Sequence, residues 1–233
     1  MDHGKPIIYV KNVRKVYRMG DEEVVALKRI NLKIYKGEVC CIFGTSGSGK
    51  STLLNQLAGM EKPTQGQVFI RGKSISRMDE EELAAFRQEH MSFIFQSYNL
   101  LPSMTAVENV AMPLMFKGMD RKRREAMAED LLRRVGLSHR LHHYPSQMSG
   151  GQQQRAGIAR AFVSRPEVVF ADEPTGNLDT KTTAEIMDMV MGFARRFNQT
   201  IILVTHDPGM SKYADRIVTL VDGVITGDER KGQ

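Results

Sequence analysis

One stretch of this 233-residue chain determines its fold: Val39-Cys40-Cys41-Ile42-Phe43-Gly44-Thr45-Ser46-Gly47-Ser48-Gly49-Lys50-Ser51. A short apolar run of strand length leads into the pattern G-x-x-x-x-G-K-[ST] at Gly44–Ser51, and a helical pattern follows as far as Gly59. Glycines let successive backbone N–H groups of such a loop point inward at the positive end of the next helix, where they bind anions. Lys50 adds a charge for terminal phosphates, and Ser51 offers a hydroxyl oxygen that suits Mg²⁺. The stretch therefore predicts a strand, a phosphate-binding loop and a helix.

Patterns typical of strands and helices alternate on both sides of this loop. Helices are predicted over Lys50–Ala58, over Asp79–His90 with Asp79 as the cap, from Ser149 to about Ser164, and from about Thr182 to Phe197. Strands are predicted at Ile7–Val13, Val24–Leu27, Ile30–Tyr35, Val68–Ile70, Phe93–Phe95, Val168–Ala171 and Thr200–Thr205, with a closing hairpin that turns at Asp222-Gly223. The first strands predict a small sheet at one edge, and the later alternation predicts an α/β fold with a mainly parallel sheet.

The segment between Ser97 and Gln147 has helix signals and no strand patterns. Thr105-x-x-Glu108 is a capping box that opens one helix. Asp120 can cap a second helix, which has an apolar face and ends at Gly136. We therefore predict one domain over residues 1–233, with a core at 1–96 and 149–233 and a helical subdomain at about 97–148.

Composition excludes several classes of protein. Hydrophobic residues make up 41% of the chain and charged residues 26%, as in globular proteins, and the formal net charge is +6. No apolar run has the roughly 20 residues of a membrane helix, and no signal-peptide pattern begins the sequence, so a cytosolic location is expected. The two cysteines, Cys40 and Cys41, are adjacent in an apolar run and are interpreted as small buried hydrophobic residues.

Polar side chains follow two further predicted strands. Asp172 and Glu173 come after one apolar strand, and His206 follows another. Because ligands of open parallel sheets bind outside the carboxyl ends of the strands, we expect these residues to converge on the phosphate loop. Asp172 would hold Mg²⁺ through water, Glu173 would act as general base, and His206 would orient the attacking water. Taken alone, the acidic pair is equally compatible with a turn or helix start, and His206 with a loop histidine.

A second glycine motif occurs at Ser149-Gly150-Gly151-Gln152. It is a Ser-x-x-Gln capping box, which by itself explains a helix start. Two adjacent glycines also expose the first N–H groups of that helix and make a second anion site. Because one nucleotide already has its cradle at Gly44–Ser51, we predict that this motif serves a nucleotide held by a second copy of the chain.

These motifs resemble those of the ATP-binding cassette family over nearly the whole chain. Gly44–Ser51 resembles its Walker A loop, and Met148–Gln152 resembles its signature, with Met148 in place of the usual leucine. The remaining matches are Val168–Asp172 with the Walker B strand, Glu173 with the catalytic carboxylate, Gln96 with the Q-loop glutamine, Gly176–Asp179 with the D-loop, His206 with the switch histidine and Tyr17 with the adenine-stacking aromatic. A tyrosine on an edge strand is the alternative reading of Tyr17.

The resemblance implies an α/β fold with a P-loop NTPase core, an N-terminal antiparallel β subdomain and a helical insertion. It also implies an active ATPase that uses ATP and Mg²⁺. The implied catalytic residues are Glu173, His206 and Gln96, and the implied Mg²⁺ ligands are Ser51, Gln96 and Asp172. The implied nucleotide-binding residues are Tyr17, Gly44, Thr45, Ser46, Gly47, Ser48, Gly49, Lys50, Ser51, Thr52, Ser149, Gly150, Gly151, Gln152 and Asp179.

The family resemblance further implies two partners. ATP joins two copies head to tail, and a separate integral-membrane permease receives the motion, which makes the chain a peripheral protein on the cytoplasmic face of the membrane. Four stretches resemble the lipoprotein-releasing, macrolide-export and antimicrobial-peptide-resistance ATPases, which implies export or extraction of lipoprotein, drug or peptide: Gln96–Pro102, Thr105–Val110, Ser149–Arg155 and Ala171–Asp179. The alternative is an ATP-dependent signalling module that acts on a membrane partner without transport, as in cell-division relatives.

Two other kinds of site are not predicted. His139, His142 and His143 lack accompanying carboxylates or thiols, so no transition metal is expected. Arg121–Arg124 opens a helix with an apolar face and lacks interleaved aromatic residues, so nucleic acid is not expected as a partner. Lys117–Arg140 nevertheless holds eight basic and four acidic residues, and our hypothesis is that this part lies near anionic lipid.

Overall fold

The chain forms two compact units in a computed structural model that describes residues 4–231. One unit comprises the residues up to Arg87 and from Asn198 onward, and the other comprises Gln88–Phe197. The elements are β1 (Ile8–Met19), β2 (Glu22–Ile34), β3 (Val39–Phe43), α1 (Lys50–Leu57), β4 (Gln65–Ile70), β5 (Lys73–Ser74), α2 (Glu80–His90), β6 (Met91–Phe95), α3 (Ala106–Phe116), α4 (Arg121–Arg134), α5 (Gly150–Val163), β7 (Val168–Asp172), α6 (Thr180–Phe197), β8 (Thr200–Thr205), β9 (Arg216–Val221) and β10 (Val224–Arg230).

The first unit contains an antiparallel sheet in the order β2-β1-β4-β5, which confirms the predicted N-terminal β subdomain. The two separate pieces predicted at Val24–Leu27 and Ile30–Tyr35 are wrong, because β2 is one continuous strand. Its adjacent exposed residues Lys28 and Arg29 interrupt the alternation of buried and exposed side chains where the register with β1 shifts. A bulge of this kind allows a strand to continue through a break in its sequence pattern.

A second sheet in the first unit follows the order β10-β9-β3-β8. Strand β3 is parallel to both β8 and β9, and the hairpin of β9 and β10 turns at Asp222-Gly223, where both residues have positive φ. Cys40, Cys41 and Ile42 have no exposed surface, as expected for the central strand of a parallel sheet. Both cysteines are free and buried, so they contribute to packing as predicted, and burial raises the pKa of the Cys40 thiol.

The second unit combines the parallel pair β6 and β7 with the helices α3, α4, α5 and α6. The predicted capping box of Thr105 and Glu108 at α3 and the cap of Asp120 at α4 are confirmed. The helical character of residues 97–148 is therefore confirmed, whereas the division into a core at 1–96 and 149–233 and a helical subdomain stays a prediction. None of the helices within residues 4–231 is long and apolar enough to span a bilayer.

The loop before α3 is held by Asn109, which is completely buried. Its Oδ1 accepts the N–H of Leu101 at 2.7 Å, and its Nδ2 lies 2.9 to 3.1 Å from the carbonyl oxygens of Leu101, Met104 and Thr105. Because a buried amide is stable only when its polar atoms are bonded, this residue fixes the course of the loop onto α3.

Candidate functional site

The glycine-rich loop between β3 and α1 packs so closely against neighbouring backbone that it has no room for side chains at two of its glycines. A Cβ at Gly44 would lie 2.3 Å from the carbonyl oxygen of Leu220, and one at Gly49 would lie 2.7 Å from that of Ala26. Gly49 also has a φ of 99° and is the N-cap of α1, so no side chain caps this helix. The first N–H groups of a helix have no partner within it, and here they are left to other ligands.

Lys50 lies within this loop and is only 8% exposed. Its Nζ donates a hydrogen bond to the carbonyl oxygen of Thr45 at 2.7 Å, which folds the side chain back over the loop. The buried Ser48 hydroxyl has no hydrogen-bond partner among the described residues. The uncapped start of α1, the Lys50 ammonium group and the unsatisfied Ser48 hydroxyl together fit a phosphate group. Ser51 and Thr52 follow in the first turn of α1, where Ser51 is exposed.

The loop leaves its sheet beside the predicted switch histidine. Phe43 and Thr205 are register partners in the parallel pair of β3 and β8, so Gly44 and His206 each follow a paired position at the same edge. His206 is exposed there, and Asp207 begins the short helix Pro208–Tyr213 by accepting the N–H of Gly209. The phosphate loop and His206 therefore leave the same edge of this sheet within the first unit, and the role of His206 at the phosphates stays a prediction.

Tyr17 on β1 is held by contacts with two charged side chains, those of Glu61 and Lys15. Its hydroxyl donates to Glu61 Oε2 at 2.7 Å, and Lys15 Nζ lies 3.0 Å from the same oxygen and 5.0 Å from the centre of the Tyr17 ring. Burial, together with the bond to Glu61, raises the pKa of Tyr17. Burial also acts to raise the pKa of Glu61, but hydrogen bonds from Tyr17, Asn55 and Lys15 outweigh it and hold that pKa below its ordinary value. The contacts hold the ring in place, and its stacking on adenine stays a prediction.

The second unit places Gln96 and Glu173 side by side. Phe95 and Asp172 are register partners at the ends of β6 and β7, so the residues that follow them leave the same edge. Gln96 Nε2 donates to Asn177 Oδ1 at 3.3 Å, and Asn177 Nδ2 donates to the carbonyl oxygen of Gln96 at 3.1 Å. The predicted Q-loop and D-loop are thus joined by a reciprocal pair of amide hydrogen bonds.

Glu173 adopts a backbone conformation that is unusual for its residue type. Its φ is 45°, its side chain is half-buried, and its carbonyl oxygen accepts the N–H of Gly176 in a tight turn. A non-glycine residue in the left-handed region costs about 1–3 kcal/mol and is typical of functional sites. Asp172 precedes it as the half-buried last residue of β7.

The predicted signature motif begins α5 with the expected capping box. Ser149 Oγ accepts the N–H of Gln152 at 3.4 Å, and Gln152 Oε1 accepts the N–H of Ser149 at 3.1 Å. A Cβ at Gly150 would lie 2.8 Å from the Tyr98 hydroxyl, and one at Gly151 would lie 3.3 Å from Thr182 Cγ2. The glycine pair therefore has a packing role against Tyr98 in addition to any ligand.

Arg160, which belongs to none of the sequence motifs, fixes the segment that follows Gln96. It is 8% exposed, and its guanidinium donates to the carbonyl oxygens of Tyr98 at 2.8 Å and Asn99 at 2.5 Å. Both acceptors have positive φ, 61° and 49°, so the bonds hold a strained segment. Burial lowers the pKa of Arg160. The available signal was a lone arginine among the apolar residues of Ala156–Val163.

Asp179 has a structural role that the motif match did not predict. Its Oδ1 accepts the N–H groups of Lys181 and Thr182, both at 3.0 Å, and its Oδ2 accepts the Thr182 hydroxyl at 2.6 Å. It is therefore the N-cap of α6, and the bonds from Thr182 lower its pKa. Its predicted contact with nucleotide, like the expectation that all the strand ends form one site, stays a prediction.

Comparisons with known proteins give a consistent family. A family model described as ABC transporter matches residues 27–176. The ABC transporter ATP-binding protein MJ1508 of Methanocaldococcus jannaschii is 49% identical over 219 residues, which cover 94% of this chain and 97% of that protein. The macrolide export ATP-binding/permease protein MacB of a Shewanella species is 48% identical over 225 residues, which cover 97% of this chain and 34% of MacB. The chain thus spans about a third of the length of MacB.

Solved structures agree with this result. The ATP-binding cassette MJ0796, in a dimeric post-hydrolysis state bound to ADP and Pi, matches with a TM-score of 0.89 and 41% identity over 96% of this chain and 98% of that one. A second dimeric structure of MJ0796, described as a bacterial ABC transporter cassette, matches with the same TM-score and 42% identity. The predicted fold class is therefore confirmed.

The contact between Gly150 and Tyr98 leads to a first prediction. Gly150→Ala should lower the free energy of unfolding by about 1–3 kcal/mol, because the added methyl group overlaps the Tyr98 hydroxyl. In the Tyr98→Phe background the loss should be smaller. Urea unfolding of the two single variants and the double variant measures this coupling.

Gly157→Ala in the same helix is the matched control. Its Cβ would meet its nearest neighbours at 3.6 and 3.8 Å, so alanine should raise stability by about 0.5–1 kcal/mol through its helix propensity. An equal cost of Gly150→Ala with and without the Tyr98 hydroxyl would contradict the proposed contact.

Proposed function

The chain belongs to the ABC transporter family and is an ATPase of that type, and we propose that it powers a separate membrane permease by hydrolysing ATP. The observation that carries the proposal is the N-terminus of α1, which no side chain caps. The glycine loop before it binds the ammonium group of the buried Lys50, and the loop leaves the same sheet edge as His206. This geometry fits the terminal phosphates of a nucleotide.

Binding of ATP is assigned to the loop and the first turn of α1. The N–H groups of Gly44–Ser51 and the Lys50 ammonium bind the phosphates, and Thr52 lies beside them on α1. Tyr17 stacks on the adenine base, with its ring held by the bond between its hydroxyl and Glu61. The absence of any carboxylate from Gly44–Thr52 supports this assignment, because a negative charge there would repel phosphate.

Ser51, Gln96 and Asp172 are proposed to hold Mg²⁺. Their hydroxyl, amide and carboxylate oxygens are hard ligands of the type that Mg²⁺ prefers, and Asp172 acts through water. When bound, Mg²⁺ offsets negative charge on the phosphate oxygens of ATP. Gln96 has its own anchor in Asn177, which keeps its side chain at the end of β6.

Hydrolysis is assigned to Glu173 as general base. A water molecule attacks the γ-phosphorus, its proton passes to the Glu173 carboxylate, and ADP leaves with the electron pair of the broken P–O bond. His206 contacts the γ-phosphate and orients this water, and Gln96 helps to position it. The strained backbone of Glu173 supports a functional role, since such conformations cluster at active sites.

A second copy of the chain is proposed to complete each ATP site. Ser149, Gly150, Gly151 and Gln152 at the start of α5, together with Asp179, contact the ATP bound by the other copy. The dimeric structures of the related MJ0796 cassette support assembly as a dimer, and the head-to-tail arrangement is part of this proposal. Gly150 and Asp179 also have structural partners of their own, so the segments that carry them are already ordered.

The membrane partner is proposed to be an integral-membrane permease, which would place the chain on the cytoplasmic face of the membrane. The MacB relatives are described as ATP-binding/permease proteins for macrolide export. On that basis we propose export or extraction of a drug, peptide or lipoprotein, with Gln96 and the helices of 97–148 transmitting the motion.

Glu173→Gln tests the hydrolytic step. Because the amide cannot accept the proton from water, turnover should fall by about a factor of 100 or more, while ATP binding persists and the ATP-bound dimer accumulates. Phosphate release and size-exclusion chromatography with ATP measure the two effects.

Two variants serve as controls for this experiment. Glu89→Gln changes an exposed carboxylate of the same unit and should leave turnover unchanged. Lys50→Ala should weaken nucleotide binding itself, without dimer accumulation. Normal hydrolysis by Glu173→Gln would refute its assignment as general base.

Tyr17 gives a separate test of base stacking. Tyr17→Phe keeps the aromatic ring and should bind ATP within about a factor of three of the parent, whereas Tyr17→Ala should bind about tenfold more weakly. Binding of a fluorescent ATP analogue measures both variants. Equal weakening in both variants would mean that the bond to Glu61, rather than the ring, supports binding.

Coupling to transport requires the membrane partner. In vesicles that contain the permease and this chain, ATP should drive flux of the exported compound, and Glu173→Gln should abolish that flux together with turnover. ATP-dependent activation of the partner with no flux would instead favour a signalling role.

A further inference from the structure

A groove of about 340 Å³ lies on the second unit, along one face of α4 and beside the C-terminal ends of α5 and α6. Its middle is apolar, with Met127 and Leu131 from α4, Phe162 from α5 and Phe197 from α6. Met127 and Phe197 are partly exposed, so the groove presents apolar surface to an incoming group.

Four arginines surround this apolar surface. Arg123 and Arg134 come from α4, Arg165 follows α5 and Arg196 lies near the end of α6. The one carboxylate of the lining, Asp130, already pairs with Arg134 at 2.8 Å. Across residues 4–231, the guanidinium groups of Arg123, Arg165 and Arg196 make no ion pair with a carboxylate. The groove therefore has a net charge of +3.

Two of these arginines are held in position by an aromatic ring. The guanidinium carbons of Arg165 and Arg196 lie 5.4 and 5.7 Å from the centre of the Phe197 ring. Cation–π contacts of this kind restrict long side chains and keep their N–H donors at the groove edge. An anionic partner then binds with a smaller loss of side-chain entropy.

Favourable interactions with helix dipoles explain the positions of only some of these arginines. Arg134, Arg165 and Arg196 lie near helix C-termini, where a positive charge is favourable. Arg123 lies in the first turn of α4, where a positive charge is unfavourable. Its neighbours Arg121 and Arg124 find partners in Glu125 and the carbonyl oxygen of Met119. Arg123 makes no comparable side-chain contact within the described chain.

The shape of the groove selects the kind of ligand. Arg123, Met127, Leu131 and Arg134 share one face of α4, and the two arginines are about 16 Å apart along the helix axis. A small anion could reach one end only, whereas a segment about three helical turns long could reach both. We propose that this groove binds an acidic amphipathic segment of a protein partner, with apolar side chains against Leu131 and Phe197 and carboxylates on Arg123, Arg165 and Arg196.

A selection from displayed random peptides tests the proposal. Peptides of about 12 residues, roughly 18 Å long as helices, are selected on the full-length protein. The expected winners combine leucine, isoleucine or phenylalanine with flanking aspartate or glutamate. The best of them, synthesised with a fluorescent label, should lose about tenfold or more in affinity on Arg123→Glu/Arg196→Glu.

A control with the same change of charge is available on the same two helices. Lys122→Glu/Arg195→Glu alters the residues next to Arg123 and Arg196 in sequence, and neither residue lines the groove. It should retain the peptide affinity of the parent. Thermal unfolding and ATP turnover without peptide verify that both double variants are folded, so this test does not depend on the proposed transport function.

Several outcomes would overturn the proposal. The selection could yield no acidic and apolar peptides, or both double variants could lose affinity equally, which would indicate general charge attraction. Polyglutamate could bind as tightly as the selected peptide, in which case the apolar surface contributes nothing. Recruitment to phosphatidylglycerol vesicles that needs Arg123 and Arg196, with no competition by the peptide, would instead identify lipid as the ligand.

Discussion

The register of two parallel strand pairs is the constraint on which the candidate site depends. Phe43 opposite Thr205 places the phosphate loop next to His206, and Phe95 opposite Asp172 places Gln96 next to Glu173. A shift of one residue in either pair would turn every side chain to the opposite face. Because β3, β7 and β8 are almost entirely buried, such a shift would disrupt the packing of their apolar side chains and is disfavoured.

Within the second unit, polar side chains hold the loops that extend from this framework. The buried Arg160 donates hydrogen bonds to two carbonyl oxygens in a strained segment, and the exposed Asn177 exchanges bonds with Gln96. A buried guanidinium is costly unless its donors are satisfied, so the loop and helix α5 stabilise each other. Asn109 holds the next part of the loop through its hydrogen bonds to the backbone of Leu101, Met104 and Thr105. The Q-loop and the signature helix are therefore one connected body rather than two independent motifs.

Local signals in the sequence predicted most of the elements and the family. Helix caps, glycine stops and apolar strand patterns involve residues within a few positions of each other, so they can be recognised without a structure. Contacts between distant segments could not be predicted in this way. The bonds from Arg160 to Tyr98 and the fit of Gly150 against the Tyr98 hydroxyl join residues more than fifty positions apart. The division of β2 failed for a related reason, since pairing with β1 overrode the local pattern.

The net charge of +6 is partly explained by the groove on α4, which concentrates three positive charges. Helix α5 begins at the signature motif and helix α6 begins just after Asp179, and both helices end at this groove. They are about 21 and 27 Å long, so each links a predicted site residue rigidly to the groove. Position alone does not create regulation, because a ligand shifts an equilibrium only if it binds two conformations with different affinity. An acidic segment that contacts α4, α5 and α6 together meets this condition whenever the ATP cycle changes the spacing of their ends.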